Sequence, residues 1–212
     1  MEILADFKEV EMKDRKFTIK KFSAQTGSFM LIKVTGIIAP MIKSIDMSNI
    51  KVENGKIPDL KGLDIVGIMS GLSSLTEQDF NYIYSKCLQV CFEKLPAGLT
   101  RVMNPDGTFG VVGLETDSST TLALVAHTLI HNVHGFFLRK PLGFSTRGIN
   151  EYEVVHCENV DEFLYGPVIA DMWQQHEVWD GTYTLDDLCD AHEILAVKSE
   201  NQQRSAEAGR KE

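Results

Sequence analysis

The most regular segment of the chain is residues 76–92, TEQDFNYIYSKCLQVCF. Thr76 followed by Asp79 is typical of a helix start, because the threonine side chain can accept a hydrogen bond from the third helical N–H. Apolar side chains then recur with a helical period, at Phe80, Ile83, Tyr84, Cys87, Leu88, Cys91 and Phe92. The segment therefore predicts an amphipathic helix that Pro96 and Gly98 end.

The sequence before this helix predicts a strand and another helix. Residues 16–22 alternate polar and apolar side chains, as a half-buried strand does. Ser23 can cap the next helix, and Pro40 kinks or ends it. Its apolar stripe consists of Phe29, Ile32, Ile37, Met41 and Ile45. Residues 46–60 are typical of a loop, whereas residues 61–75 are apolar but too rich in glycine for a stable helix.

The middle of the chain predicts a β-hairpin and a long helix. The turn sequence of residues 104–107, NPDG, separates two apolar segments, residues 99–103 and 109–114. Ser118 or Ser119 is suited to capping a helix that extends to about Leu138, with Leu122, Val125, Leu129, Val133 and Phe136 inside.

The C-terminal part predicts a linker and two helices. Residues 139–158 contain Pro and Gly and are a linker candidate. Asn159 is placed to cap a helix that Gly166-Pro167 kinks or breaks, and Thr184 with Asp187 starts a final helix that frays after Lys198. The fold class is therefore α+β and mostly α-helical: an N-terminal strand and a central β-hairpin packed with helices, followed by a small helical C-terminal region.

The charge is concentrated at the C-terminal end. The whole chain carries a formal charge of −9. Residues 159–212 contain twelve Asp or Glu against four Lys or Arg, a net of −8, and the other 158 residues contribute −1. Such a balance argues against general nucleic-acid binding and against docking on anionic membranes, because both need basic surface.

Other features exclude further classes of protein. Four Cys in 212 residues are too few for a disulfide scaffold, so reduced thiols are expected. The first residues do not resemble a secretory signal. The longest apolar stretches, residues 30–45 and 63–75, are interrupted by polar residues and fall short of the roughly 20 apolar residues that span a bilayer.

The motifs that usually carry chemistry are weak. His127, His131 and His134 lie on one face of a predicted helix, so two of them could share a metal ion, but the glutamate of an H-E-x-x-H motif is absent. Cys87 and Cys91 lie on an apolar helix face and lack the C-x-x-C spacing. A Walker motif and a G-x-S-x-G motif are also absent. We therefore predict no enzyme, no cofactor and no metal site.

The order of elements resembles the tail assembly chaperones of long-tailed bacteriophages. The resemblance covers about residues 10–138 and includes the segments RKFTIKKFSAQTGSFML, LTEQDFNYIYSKCLQVC, VMNPDGTFG and LALVAHTLIHNVHGFF. Residues 160–204 resemble the acidic helical segments found beside or fused to such chaperones. In lambda-like phages the longer form arises by translational frameshifting, and Phe136-Phe137-Leu138 stand where the short form would end, which is a hypothesis that the gene sequence would test.

This resemblance implies a function and a set of partners. Residues 1–138 would form the chaperone domain that engages the tape measure protein, residues 139–158 a linker, and residues 159–212 an acidic extension that recruits tail tube subunits. The protein would act in the host cell cytoplasm and be absent from the mature virion. The candidate partner-binding residues are Phe29, Ile32, Ile37, Met41, Phe80, Tyr84, Trp173 and Trp179.

Two other classes of protein stay open at this stage. One is a structural tail or baseplate-associated protein of the virion, and the other is a metal-dependent enzyme that uses His127 and His131. The sequence leaves the oligomeric state open.

Overall fold

The computed structural model describes residues 7–44, 75–139, 157 and 159–209 of the chain. Four strands and five α-helices lie in these ranges, which confirms the α+β class. In chain order they are β1 (Phe7–Met12), β2 (Arg15–Lys20), α1 (Ala24–Ser44), α2 (Glu77–Gln89), β3 (Cys91–Leu95), β4 (Gly98–Arg101), α3 (Ser118–Leu138), α4 (Glu162–Ile169), a 3₁₀ helix (Gln175–Val178) and α5 (Leu185–Gly209). The predicted loop 46–60, most of the apolar segment 61–75 and nearly all of the linker 139–158 lie outside the described residues.

The N-terminal strand is the second strand of a hairpin. Strands β1 and β2 pair antiparallel, with Met12 opposite Arg15. The two residues between them, Lys13 and Asp14, have φ angles of 50° and 62°, as a two-residue type I′ turn requires. The sequence predicts β2 but not β1, because Lys-Asp lacks the Asn-Gly signature of such a turn.

The four strands form an antiparallel sheet in the order β1-β2-β3-β4. The predicted helix of residues 76–92 ends at Gln89, so the expectation that Cys91 and Phe92 are helical is wrong. Both residues belong to β3, where pairing with β2 buries Cys91 and Glu93. An apolar segment this short fits the period of a helix as well as that of a strand. Pairing with the distant strand β2 decides in favour of the strand.

The predicted hairpin is also displaced. Strand β4 pairs with β3 across the turn at Pro96, and not with residues 109–114. The turn of residues 104–107 forms, with the N–H of Gly107 donating to the carbonyl of Asn104, but it joins only one bridge, between Met103 and Phe109. The NPDG sequence therefore predicted the position of a turn correctly, but it did not predict which strands pair.

Helix caps follow the sequence closely. The side chains of Ser23 and Thr76 accept hydrogen bonds from backbone N–H groups three residues on, as predicted. Thr184 and Asp187 form a reciprocal capping box at the start of α5. Helix α1 continues through Pro40 to Ser44, so an end at Pro40 is wrong.

Two other helices are capped by aspartates, although the sequence predicts caps one or two residues away. Asp117, not Ser118 or Ser119, accepts the N–H of Thr120 at the start of α3. Asp161, not Asn159, accepts the N–H of Leu164 at the start of α4. Aspartate is at least as good a cap as serine or asparagine, so position rather than residue type was misjudged.

The described residues of Met1–Lys21 and Phe29–Phe137 form one compact unit. Its core joins α3 to the sheet. The hydroxyl Oγ1 of Thr128 lies 3.2 Å from Sγ of Cys91, and the side-chain amide of Asn132 donates to the carbonyl of Lys20 at 3.3 Å. The largest fully buried side chains of this unit are Phe17, Ile19, Met30, Val34, Ile83, Leu88, Leu114, Leu124 and Leu129.

A buried ion pair crosses the sheet within this unit. Glu93 is only 4% exposed and accepts two hydrogen bonds from Arg15, each 2.7 Å long. The two residues are 78 positions apart in the chain. Because two parallel bonds fix the guanidinium relative to the carboxylate, the pair holds the first hairpin in one register against β3.

Of the three histidines on α3, His131 belongs to the core, whereas His127 and His134 are half-buried. His131 is 2% exposed, and neither of its ring nitrogens has a hydrogen-bond partner. Burial, with the nearby cations Lys21 and Lys8 and with His134, lowers the pKa of His131 to about 3. Cations repel a metal ion, and within the described ranges no three His, Cys, Asp or Glu side chains are grouped to hold one. His131 is therefore best understood as a neutral core side chain.

The second compact unit combines Phe22–Ser28 with the described residues of Leu138–Glu212. The N–H of Ala24 donates to the carbonyl of Tyr183 at 2.7 Å. A Cβ added at Gly27 would lie 2.9 Å from Cβ of Leu185, so this helix turn needs glycine for the approach. Arg139 donates to the carbonyl of Asp186 and pairs with the carboxylate of Asp190 at 2.8 Å each, which ties the start of this unit to α5.

Helix α4 contains Pro167 and still continues to Ile169. A proline cannot donate to the carbonyl four residues earlier, here that of Phe163. His192 of α5 supplies the missing bond, since its Nε2 lies 2.6 Å from that oxygen. A carbonyl only accepts, so Nε2 carries the hydrogen. The imidazole also stacks on the ring of Phe163, and a Cβ at Gly166 would lie 2.8 Å from it.

The final helix is longer than predicted. It continues from Lys198 to Gly209, and every side chain of residues 201–209 is exposed. Among the described residues, none of the helices combines the length and apolarity needed to cross a membrane.

We expect His192→Phe to lower the free energy of unfolding of the second unit by about 1 kcal/mol, because it keeps a ring beside Phe163 but leaves the carbonyl without a donor. Urea unfolding followed by tryptophan fluorescence measures this unit, since both tryptophans of the chain, Trp173 and Trp179, belong to it. His192→Ala should cost more, because the stacked ring is lost as well. Ile194→Ala, at a residue 56% exposed on the same helix, is the control. An unchanged midpoint for His192→Phe would contradict the assigned hydrogen bond.

The first unit should lose stability in mild acid because of His131. Its folded pKa lies far below the unfolded value of 6.5, so the unfolded chain binds more protons below that pH. The free energy of unfolding therefore has its full value above about pH 6.5. It falls by up to about 1.4 kcal/mol per pH unit as the pH drops toward the folded pKa of His131.

Hydrogen exchange of α3 amides at neutral pH and at about pH 5 measures this slope. His131→Leu should flatten it without loss of stability at neutral pH, because an apolar side chain replaces unpartnered nitrogens. The pKa of His127 is also lowered by burial, so a shallower slope should persist. Val133→Ala is the control, since a buried cavity lowers protection equally at both pH values. Equal slopes for the wild type and His131→Leu would refute this prediction.

Candidate binding surface

Two aromatic rings meet on the surface between α1 and α2. Phe29 and Tyr82 pack edge to face, with ring centroids 5.3 Å apart. Phe29 is 46% exposed and the neighbouring Ile32 is 69% exposed. Burial raises the pKa of Tyr82 above its ordinary value. The rings are thus partly packed against each other and partly open to a partner.

Two lysines border these rings. The ammonium of Lys33 lies 5.0 Å from the ring centroid of Phe29 and 5.9 Å from that of Tyr82. Lys33 also pairs with Asp79, and this bond holds the pKa of the aspartate below its usual value. The ammonium of Lys86 lies 5.9 Å from the ring of Tyr82. We call Phe29, Ile32, Lys33, Tyr82 and Lys86 the aromatic patch.

Two of the predicted partner-binding residues, Phe80 and Tyr84, lie away from Phe29. Phe80 and Tyr84 are half-buried and stack on each other, with centroids 5.7 Å apart. Successive residues of an α-helix are about 100° apart, so Tyr82 projects from the opposite side of α2. Phe29 therefore packs on Tyr82, which the prediction missed, and Ile32 lies one helical turn further along α1. Ile37 and Met41 also lie on α1, in the part whose side chains are outside the description.

The sequence does contain a signal for Tyr82. This residue lies on the polar side of α2 between Asp79 and Lys86, three and four residues away. A large aromatic side chain within a charged helix face is informative, because such a ring usually packs against another element or a partner.

The two tryptophans of the second unit have different surroundings. Trp173 is 9% exposed and stacks on Tyr183, with centroids 4.2 Å apart. Trp179 is 44% exposed. Of this predicted pair, only Trp179 presents substantial surface to a partner.

These residues suit binding rather than bond-making chemistry. Phenyl, phenol and branched aliphatic groups contact apolar side chains, and the bordering ammonium groups favour carboxylates at the edge of such a contact. The buried thiols of the first unit do not add a nucleophile. Burial raises the pKa of Cys91 to about 12 and that of Cys87 well above its usual value, so both stay protonated at neutral pH.

Comparison with known proteins identifies two regions. Residues 13–145, more than half of the chain, match the family described as "Phage tail assembly chaperone protein, TAC". Residues 173–212 match a family of unknown function, DUF6889. No curated protein and no solved structure matches the chain. The first match includes β2, α2, α3 and the aromatic patch. Because it covers more than half of the chain, the chain belongs to the phage tail assembly chaperone family.

Proposed function

We propose that this protein binds the phage tape measure protein transiently while the tail is assembled. The observation that carries this proposal is the aromatic patch, where Phe29 and Ile32 stay exposed within the region that matches the chaperone family. A long helical client has apolar faces that need cover before assembly. An amphipathic helix can place such a face on exposed rings and aliphatic side chains.

The protein acts by binding alone in this proposal, without catalysis or a cofactor. Three buried side chains of the first unit support this proposal. His131 is a neutral core side chain, and Cys87 and Cys91 are buried and protonated. A metal-dependent enzyme based on His127 and His131 would also place the ion beside Lys8 and Lys21.

The acidic C-terminal region recruits tail tube subunits in the same proposal. Trp179 offers an exposed aromatic anchor, and residues 159–212 carry the −8 charge that would steer a basic surface toward it. The protein then works in the host cell cytoplasm and leaves before the particle is complete. A structural tail or baseplate protein would instead be stoichiometric in purified particles, and mass spectrometry of those particles distinguishes the two roles.

We expect Ile32→Asp to reduce capture of the tape measure protein by about tenfold, because it places a charge at the centre of the apolar contact. Phe29→Ala should also weaken capture. The measurement is co-purification of the two proteins expressed together, with the full-length chaperone tagged.

Val112→Asp is the matched control. Val112 is 91% exposed in the same unit, so the substitution adds the same charge at an exposed apolar position outside the aromatic patch. Wild-type capture by Ile32→Asp would end the assignment of the aromatic patch. Equal loss with Val112→Asp would mean that added charge, and not position, causes the effect.

Capture of tube subunits should depend on Trp179 and not on the aromatic patch. Trp179→Ala should lower co-purification of the tube protein several-fold, because an exposed aromatic anchor is removed. Ile169→Ala is the control, since Ile169 is 71% exposed in the same unit. Unchanged tube capture by Trp179→Ala would exclude this anchor, and tube capture that falls with Ile32→Asp would place both partners on the aromatic patch.

A further inference from the structure

The two faces of the β-sheet differ in chemistry. Phe17, Cys91 and Glu93 are buried on the side where Cys91 meets Thr128 of α3. Because side chains alternate along a strand, the residues between them project from the other side. We call this side the outer sheet face. Its residues are Phe7, Glu9 and Glu11 on β1, Lys16, Thr18 and Lys20 on β2, Phe92 and Lys94 on β3, and Leu99 and Arg101 on β4.

Phe92 lies at the centre of the outer sheet face between two cations. It is directly opposite Arg101 on β4, whose guanidinium carbon is 5.4 Å from the ring centroid. The ammonium of Lys20 on β2 is 4.9 Å from the same centroid. Leu99 is 55% exposed and opposite Lys94, so a second apolar side chain lies beside the ring.

The outer sheet face is basic although the chain is acidic. Lys16, Lys20, Lys94 and Arg101 are all exposed. Lys16 lies 4.0 Å from Glu11 on the edge strand β1, whereas the ion pairs of the described residues do not involve the other three. Glu9 and Glu11 of β1 lie on the same face, opposite Thr18 and Lys16, so four cations face two carboxylates and the face keeps a net charge of +2. Lys20, Lys94 and Arg101 lie around the apolar centre.

We propose that the outer sheet face binds an acidic segment of a partner protein. Carboxylates of that segment pair with Lys20, Lys94 and Arg101, and one of its apolar or aromatic side chains contacts Phe92 and Leu99. Charge complementarity identifies the occupant, because the excess of cations on this face attracts carboxylates although the whole chain carries a net charge of −9. This surface shares no residue with the aromatic patch, so it can be occupied independently.

Nucleic acid fits these observations less well. Nucleic-acid affinity depends on many phosphate contacts that release counterions, and the outer sheet face offers four cations at most. The residues outside 159–212 carry a net charge of only −1, so they offer no excess of cations to a phosphate backbone that extends beyond this face. A short acidic peptide segment needs only the cations of the face itself.

The test is fluorescence anisotropy with the full-length protein at low ionic strength. The probe is a fluorescein-labelled oligo-glutamate peptide with one central tryptophan, compared with an oligo-glutamine version and with an oligo-dT strand. We expect the glutamate probe alone to bind. The double variant Lys20→Glu, Arg101→Glu should weaken binding by about tenfold. Phe92→Ala should weaken it several-fold although it keeps every charge.

The matched control is the double variant Lys198→Glu, Arg204→Glu, which changes the net charge equally on the exposed part of α5. It should bind like the wild type. The double variant Lys20→Gln, Arg101→Gln removes the cations without adding acids, so it is less prone to misfold. It should also weaken binding. Equal loss in the control, no binding of the glutamate probe to the wild type, or tighter binding of oligo-dT through Lys20 and Arg101 would each overturn the proposal. These outcomes leave capture of the tape measure protein by the aromatic patch unaffected.

Discussion

The paired hydrogen bonds between Arg15 and Glu93 fix the arrangement on which the first compact unit depends. A carboxylate that is only 4% exposed is stable inside the sheet because it accepts both bonds from the guanidinium. The pair requires Phe17 to lie opposite Glu93, which is the observed register of β2 and β3. A slip of one residue would turn each inward side chain to the other face. Removal of one partner would leave a buried charge, so the sheet tolerates few other registers.

This register also separates the two chemical faces of the sheet. Apolar side chains pack toward α3, and Phe92 with its neighbouring cations stays exposed. In the roles proposed above, the two surfaces bind different segments: apolar helical segments on the aromatic patch, and acidic segments on the outer sheet face. Neither surface needs a reactive group, which agrees with the protonated thiols and the neutral His131 in the core.

In the second unit, a contact between helices replaces a hydrogen bond that α4 lacks. Pro167 removes one donor from a short helix, and His192 on another helix replaces it. Gly166 leaves room for the imidazole, and Arg139 holds the start of α5 through Asp186 and Asp190. The unit also has an apolar core that includes Leu164, Val178, Leu185 and Leu188, whereas Trp179 stays 44% exposed.

The sequence by itself determined the α+β class, the caps at Ser23, Thr76 and Thr184, the acidic C-terminal region and the resemblance to tail assembly chaperones. These features depend on neighbouring residues or on composition, so they can be recognised along the chain. Only the tertiary structure decided that Cys91 and Phe92 form a strand, that Tyr82 rather than Phe80 and Tyr84 joins Phe29, and that His192 completes α4. Each of these outcomes is a contact between residues distant in sequence, as with Arg15 and Glu93 at a separation of 78 positions. Local propensity is weak compared with such pairing and burial, and this is why the contacts, and the surfaces they create, could not be predicted from periodicity alone.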